Sequence, residues 1–324
     1  MSVNTGAVHT VLPELCCEVA QIMQQRSLSA VFQPIADLRE RKVFGYEGLI
    51  RGPSNSRLHS PMALFSAAGQ CGCFLQLEQL CREVVVEAFV QQRLQGKLFL
   101  NVSPERLIGA DYRHGCTMQA IERAGLDPHR VIIELTEHRP LYDYSLLCAA
   151  IAHYRAMGFS IAIDDLGEGF SSLRRWSELR PEFVKIDRHF VQNIHQDPLK
   201  AQFLRSIQQI AENAGARVIA EGIEILPELQ LVKDLGISLG QGYVFARPSV
   251  TPPPGLPPES IRLLQPPAGP AAAGQCRVCL NGVRRCANLK HAAAGAASVS
   301  AGLVYRVRLQ SGRMPGTAPG HRLA

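Results

Sequence analysis

Two aspartates stand side by side, Asp164 and Asp165, at the end of the apolar run in IAIDDLGEGFSSL (161–173). Neighbouring carboxylates repel and are costly to desolvate, so a fold keeps them together where something positive sits beside them. They could cap a helix, since Asp accepts N–H bonds at an N-terminus, or hold a metal ion; this stretch alone allows both. The same setting recurs along the chain. Glu47 lies in VFGYEGLI (43–50), Asn101 in KLFLNV (97–102), Glu134 in VIIELT (131–136), Lys185 and Asp187 in FVKID (183–187), Glu221 in RVIAEG (217–222) with Glu224 just after it, and Gln241 opens QGYVFA (241–246).

One polar group inside an apolar run is a satisfied core residue or a cap. Many converging on one rim form a cluster of like charge that divalent cations neutralise. Oxygen donors without paired His or Cys favour hard ions such as Mg²⁺ or Mn²⁺ over Zn²⁺. Two such ions roughly 3.5–4 Å apart hold an attacking hydroxide together with the oxygens of a phosphoester, and adjacent aspartates suit that arrangement. Lys185 would orient the attacking water or help to deprotonate it; an ion pair with Asp187 or Glu221 is compatible with that role.

The elements that must bring these residues together are eight strand-like runs, the seven named (with SIAIDD, 160–165) and AVFQPI (30–35). Between them lie helix-period stretches such as 76–94, 144–158 and 199–215, each ending in Gly or polar residues. Strand-helix alternation over about 240 residues predicts a parallel sheet, and eight repeats suit a closed (β/α)8 barrel of the TIM type, whose active sites form at the C-terminal ends of the strands. A doubly wound open sheet is the alternative.

With 324 residues, 46% hydrophobic and 19% charged, the composition is that of a soluble globular protein. Nine of the 34 basic residues but one of the 28 acidic ones lie from Val250 onward, leaving 25 against 27 before it. The formal charge of +6 therefore belongs to the tail, and no surface for coating DNA or RNA is indicated. The N-terminus lacks a secretory pattern and no run approaches the roughly 18 apolar residues needed to span a bilayer, so membrane insertion is not expected and a cytoplasmic location is. Seven cysteines of the main body have no framework spacing and read as reduced thiols. We expect an N-terminal extension over 1–12, the barrel over 13–250, and a largely disordered Pro/Ala/Gly-rich basic tail over 251–324. Within the tail, CRVCLNGVRRC with His291 could make a Cys3His zinc site, but residues scattered by chance are the preferred reading. Arg174, Arg175 and Trp176 read as a partly packed helix start, or more sharply as a dimer or base contact. The chain has no G-x-S-x-G elbow, Walker A loop or H-E-x-x-H, and GEGFSS lacks the third glycine of a dinucleotide fingerprint.

Taken in order, FQPIADL, YEGLIRG, LNVSP, IIELTE, IDDLGEGFSSL, VKID, AEGIE and QGYVFARP resemble the signatures of the EAL phosphodiesterase domain, which hydrolyses cyclic di-GMP to linear pGpG. The resemblance covers about residues 28–248. It implies a modified barrel with one antiparallel strand, often a homodimer, and two Mg²⁺ or Mn²⁺ ions. Glu47, Asn101, Glu134 and Asp164 would bind one ion; Asp164 or Asp165 and Glu221 would hold the second. Lys185 would position the water, with Glu47 and Glu221 counted among the catalytic groups. Leu49, Arg51, Asp187 and Gln241 would contact the substrate, Glu224 would match a further active-site position, and Glu137 would anchor the loop after strand five. The sequence departs from the pattern at Gly48 (usually Ala), Leu166 (Phe), Phe170 (Tyr) and Glu168 (a small residue). The alternative is a receptor that holds cyclic di-GMP without cutting it, or an EAL-like regulator acting through a protein partner.

Overall fold

The computed structural model describes residues 6–103, 115–135, 144–166 and 172–266. Eight strands close a barrel in sequence order: β1 (Ser29–Asp37), β2 (Lys42–Arg51), β3 (Lys97–Val102), β4 (Val131–Leu135), β5 (Ser160–Leu166), β6 (Phe183–Ile186), β7 (Arg217–Ala220) and β8 (Leu239–Gln241). From β2 to β8 each strand is parallel to the next, whereas β1 is antiparallel to both of its neighbours, β2 and β8. The open doubly wound sheet is thereby excluded, and the expected antiparallel strand is the first.

Helices α1 (Gly6–Gln24), α2 (Pro61–Gln70), α3 (Phe74–Gln91), α4 (Cys116–Ala124), α5 (Tyr144–Ala156), α6 (Ser172–Leu179), α7 (Pro198–Ala214), α8 (Leu226–Asp234) and α9 (Pro258–Leu264) follow in chain order. Their ends obey local chemistry: α7 starts where Asp197 accepts from Leu199 N and Lys200 N, with Pro198 in the first turn, and stops at Gly215 in the left-handed region, where Gly carries no steric penalty. Trp176 in α6 is buried, as expected of a packed helix start.

Two apolar layers result. The larger lies between sheet and helices. The smaller plugs the barrel with Ile35, Phe99, Ile132, Ala162, Phe183, Ile219 and Leu239, and Phe44 meets the rings of Phe99 and Phe183 at 6.3 and 5.8 Å.

Three expectations are corrected. β8 is Leu239–Gln241, not 241–246: beyond it the chain turns, Phe245 N donating to Gly242 O and Val244 N to Ile223 O. Gly242 permits this because a Cβ there would lie 2.0 Å from Ile223 O. Cys16 and Cys71 are joined as a disulfide, Cα–Cα 5.4 Å, because α1 packs on α2; Cys17, Cys73, Cys81, Cys116 and Cys148 are free. The compact unit reaches Gln265 and does not end at residue 250. Leu256, Ser260 and Leu264 are buried, and Lys233 Nζ donates to the carbonyls of Leu263 and Gln265. The Cys276–His291 segment lies outside the described residues. Among the described residues no helix is long and apolar enough to cross a membrane.

Candidate metal centre and substrate pocket

Side chains alternate faces along a strand, so the residue two places beyond each plug residue also points into the barrel, one layer higher. Phe99 is followed by Asn101, Ile132 by Glu134, Ala162 by Asp164, Phe183 by Lys185, Ile219 by Glu221 and Leu239 by Gln241. In antiparallel β1 the count runs backwards, from Ile35 to Gln33, which pairs across the ladder with Glu47. An apolar floor thus carries a polar layer built from every strand. The β5–β6 register shifts between Ile163 and Leu166, so the paired aspartates sit at an irregularity of the ladder, the kind of place where bulges re-aim side chains.

Lys185 is the hub. Its side chain is 1% exposed, and Nζ lies 2.6 Å from Glu221 Oε1, 3.2 Å from Asp164 Oδ1 and 3.6 Å from Glu47 Oε2, and in direct contact with Glu134. Glu47 is held on both oxygens, by Asn101 Nδ2 at 3.2 Å and Gln241 Nε2 at 2.7 Å, and Gln241 also donates to Gln33 Oε1. Glu134 is fully buried, and its oxygens accept no hydrogen bond.

One ammonium cannot balance so many acids. Burial pushes Glu134 and Glu221 well above the usual carboxylate range, against the pull of Lys185 and with the neighbouring acids adding to the rise. Burial would raise Glu47 too, but Lys185 with the Gln241 and Asn101 donors outweighs it and holds that carboxyl below its ordinary value. The acids in turn push Lys185 well above the usual lysine range in spite of its burial. This layer is built to receive more positive charge. Its donors are carboxylates and an amide, so the residues fit a hard divalent cation. Among the described residues, however, no three acid, His or Cys side chains are already arranged as an ion cage; Lys185 stands in their midst.

The other expected residues fall around this layer. Leu49 lines a pocket of about 970 Å³ that opens beside Glu47 and Asn101 and is walled by Phe65, Phe74 and Val85. Arg51 donates to Ile50 O. Asp187 accepts from His189 N and caps a short turn, so it does not pair with Lys185. Glu224 lies 3.1 Å from Arg188. Asp165 belongs to β5, but its side chain is outside the described residues, as are Glu137, Glu168 and Phe170. Gly48 has a reason here: a Cβ would fall 2.2 Å from Val85 Cγ1, so α3 fills the space an alanine methyl would need.

Sequence reading missed several supports. Buried Glu228 accepts from Asn193 N, Glu224 N and Ile225 N, fixing the loop after β7. Buried Glu78 accepts from Ser103 N at 2.7 Å and Ser103 Oγ at 3.1 Å, fixing the end of β3 beyond Asn101. Gln33 was visible in FQPI, but without its partner it had no role.

The EAL domain family matches residues 17–248. Cyclic di-GMP phosphodiesterase PdeR of Escherichia coli is 28% identical over 212 residues, 64% of this chain and 32% of PdeR. BlrP1 of Klebsiella pneumoniae, solved as a calcium and cyclic di-GMP complex, is 27% identical with a TM-score of 0.65, covering 71% of this chain and 58% of that one. A standalone EAL protein of Vibrio cholerae with cyclic di-GMP bound is 28% identical with a TM-score of 0.63, covering 72% of this chain and 97% of that one. The chain spans between 27% and 54% of the length of the first five curated relatives it matches.

Proposed function

Because this chain belongs to the EAL domain family, we propose that it is a divalent-metal-dependent phosphodiesterase that opens cyclic di-GMP to linear pGpG and so lowers the level of that second messenger. The observation that carries this reading is the polar layer of Glu47, Asn101, Glu134, Asp164, Lys185, Glu221 and Gln241, drawn from six strands and the residue that follows β7 onto one apolar floor beside a pocket able to seat a base. The cyclic di-GMP bound by BlrP1 and the Vibrio protein supports the choice of substrate, and the calcium and manganese complexes of BlrP1 support a divalent cofactor.

Glu47, Asn101, Glu134 and Asp164 would hold one Mg²⁺ or Mn²⁺ ion, and Asp164 or Asp165 with Glu221 a second. When bound, such a pair supplies charge neutralisation and a more acidic water for attack on phosphorus. The protein's own part is positioning. Lys185, kept protonated by the acids around it, donates a hydrogen bond that fixes the water oxygen. Glu221, 2.6 Å from that ammonium, would accept the one proton the water gives up, while Glu47 on its other side would hold the ammonium in place. Gln241 and Asn101 lock Glu47 in one rotamer, which spares the transition state that reorganisation. Leu49 and the pocket walls would exclude water from one side of the substrate, and Arg51, Asp187 and Glu224 would meet its polar edges. A cytoplasmic homodimer completes the reading.

The test is turnover of cyclic di-GMP by the purified chain with Mg²⁺ or Mn²⁺, with EDTA and Glu47→Ala as controls. Metal-dependent pGpG formation, abolished by Glu47→Ala, is expected. A folded protein that binds the nucleotide and releases no pGpG with either metal is a receptor, and the hydrolytic reading falls.

A further inference from the structure

The pocket beside the polar layer contains one charged group that nothing above uses. Arg82, on α3, is 3% exposed and forms part of the pocket wall. Its Nη1 and Nη2 are buried and donate no hydrogen bond. Its near neighbour is Glu78 Oε1 at 3.4 Å, an ion-pair distance without hydrogen-bond geometry, and both Glu78 oxygens are taken by Ser103. Buried donors left without acceptors are rare, since each forfeits its water for nothing in return. A guanidinium in this state is a fork whose acceptor is yet to arrive.

The acceptor's shape follows from the walls. Leu49, Phe65, Phe74 and Val85 make the pocket apolar, suited to the faces of a flat heterocycle, while Glu47 and Asn101 at its side fix where the phosphodiester must lie. A base entering from there presents its edge to the wall. On the proposed phosphodiesterase reading, on which this step rests, that base is guanine. Its O6 and N7 are adjacent acceptors that a guanidinium meets with two parallel hydrogen bonds, whereas adenine places an N6 donor in the same position and would meet the fork donor to donor. We infer that Arg82 is a specificity-determining residue: its guanidinium donates to the O6/N7 edge of a guanine seated in the pocket between β2 and α3. The negative charge of Glu78 keeps the fork in place without occupying it.

The test is a set of dissociation constants, measured calorimetrically with Ca²⁺ on the full chain, for cyclic di-GMP, its 7-deazaguanine analogue and cyclic di-AMP. Wild type should prefer cyclic di-GMP over both. Arg82→Met should weaken cyclic di-GMP roughly 10- to 100-fold, the range of one bidentate base contact, with a smaller loss for the 7-deaza analogue, which keeps only the O6 acceptor, and little change for cyclic di-AMP, so that the selectivity ratios collapse. Arg82→Lys, which retains the charge beside Glu78 but loses the fork, should fall between, and it serves where Arg82→Met does not fold. Equal weakening of all three ligands assigns Arg82 to support of the Ser103 loop and overturns the inference, as does an unchanged ratio. Binding without pGpG formation when Mg²⁺ or Mn²⁺ replaces Ca²⁺ removes the hydrolytic reading and leaves Arg82 to be judged on the ratio. Absence of binding by folded wild type removes both.

Discussion

Replacing Lys185 by Met takes the cation out of an acid cluster while keeping the length of its stem. Each ionised carboxylate about 3 Å from Nζ attracts it by roughly 5 kcal/mol at an effective dielectric near 20, and Glu221, Asp164 and Glu47 stand at 2.6, 3.2 and 3.6 Å. Desolvation of the ammonium offsets much of that gain, so the loss should settle at about 3–5 kcal/mol, as for other buried pairs broken on one side, or roughly 10 °C in Tm. The assay is urea and thermal unfolding in EDTA at pH 8, followed by circular dichroism. The sign with pH is fixed by the direction of each shift. Glu134 and Glu221 are raised above 4.5, so their contribution is present below about that value and is lost as pH climbs through their folded values. Glu47 is lowered and contributes above 4.5, losing this as pH falls. Lys185 is raised above 10.5, so its contribution lasts until pH passes its folded value. Its removal should therefore hurt most in neutral and alkaline solution and least near pH 4, where Glu134 and Glu221 carry protons and Glu47 alone of the three keeps its charge. Adding Mg²⁺, or the second change Glu134→Gln, should recover part of the loss. A Lys185→Met protein within 1 kcal/mol of wild type at pH 8 in EDTA, and indifferent to Mg²⁺, would refute the idea that this layer lacks positive charge.

Three further outcomes can be checked by the same unfolding measurements. Gly48→Ala should cost about 1–3 kcal/mol through overpacking on Val85, and adding Val85→Ala should restore more than the two separate effects allow. Glu228→Ala strands three backbone N–H groups and should cost about 2–4 kcal/mol, with Glu228→Gln, which keeps one acceptor oxygen, recovering part of it. Closure of a loop with a sequence separation of 55 by Cys16–Cys71 should contribute about 4 kcal/mol on the chain-entropy model, so dithiothreitol should lower the Tm of wild type and leave Cys16→Ser unmoved.

The barrel was legible because its plug repeats one pattern, an inward apolar residue and then an inward polar one two places on, as in Phe99–Asn101 or Ile132–Glu134. What escaped had its cause elsewhere in the chain. No local signal says that α3 brings Val85 against Gly48, or that Glu78 reaches forward and Glu228 backward to pin loops, because helix periodicity reports only burial. QGYVFA reads as a strand by composition; Gly242 turns it because the Ile223 backbone lies where a Cβ would be. Cys16 and Cys71 have ordinary spacing and meet because two helices pack. The direction of β1 leaves no trace in its alternation, and it was the likeness of motifs that carried it.

That reversed strand also decides where the chain enters the barrel. Seven strands arrive at the polar rim with their last residues, but β1 begins there, so the segment leading into Ser29 comes in over the working face. α1 is moored on that side twice, by Cys16 to the end of α2 and by Glu18 to Ser56 and Arg57 in the loop after Arg51. Both ties fall on segments that follow β2, whose Gly48, Leu49 and Ile50 line the pocket, so α1 and the pocket wall are held to the same stretch of chain.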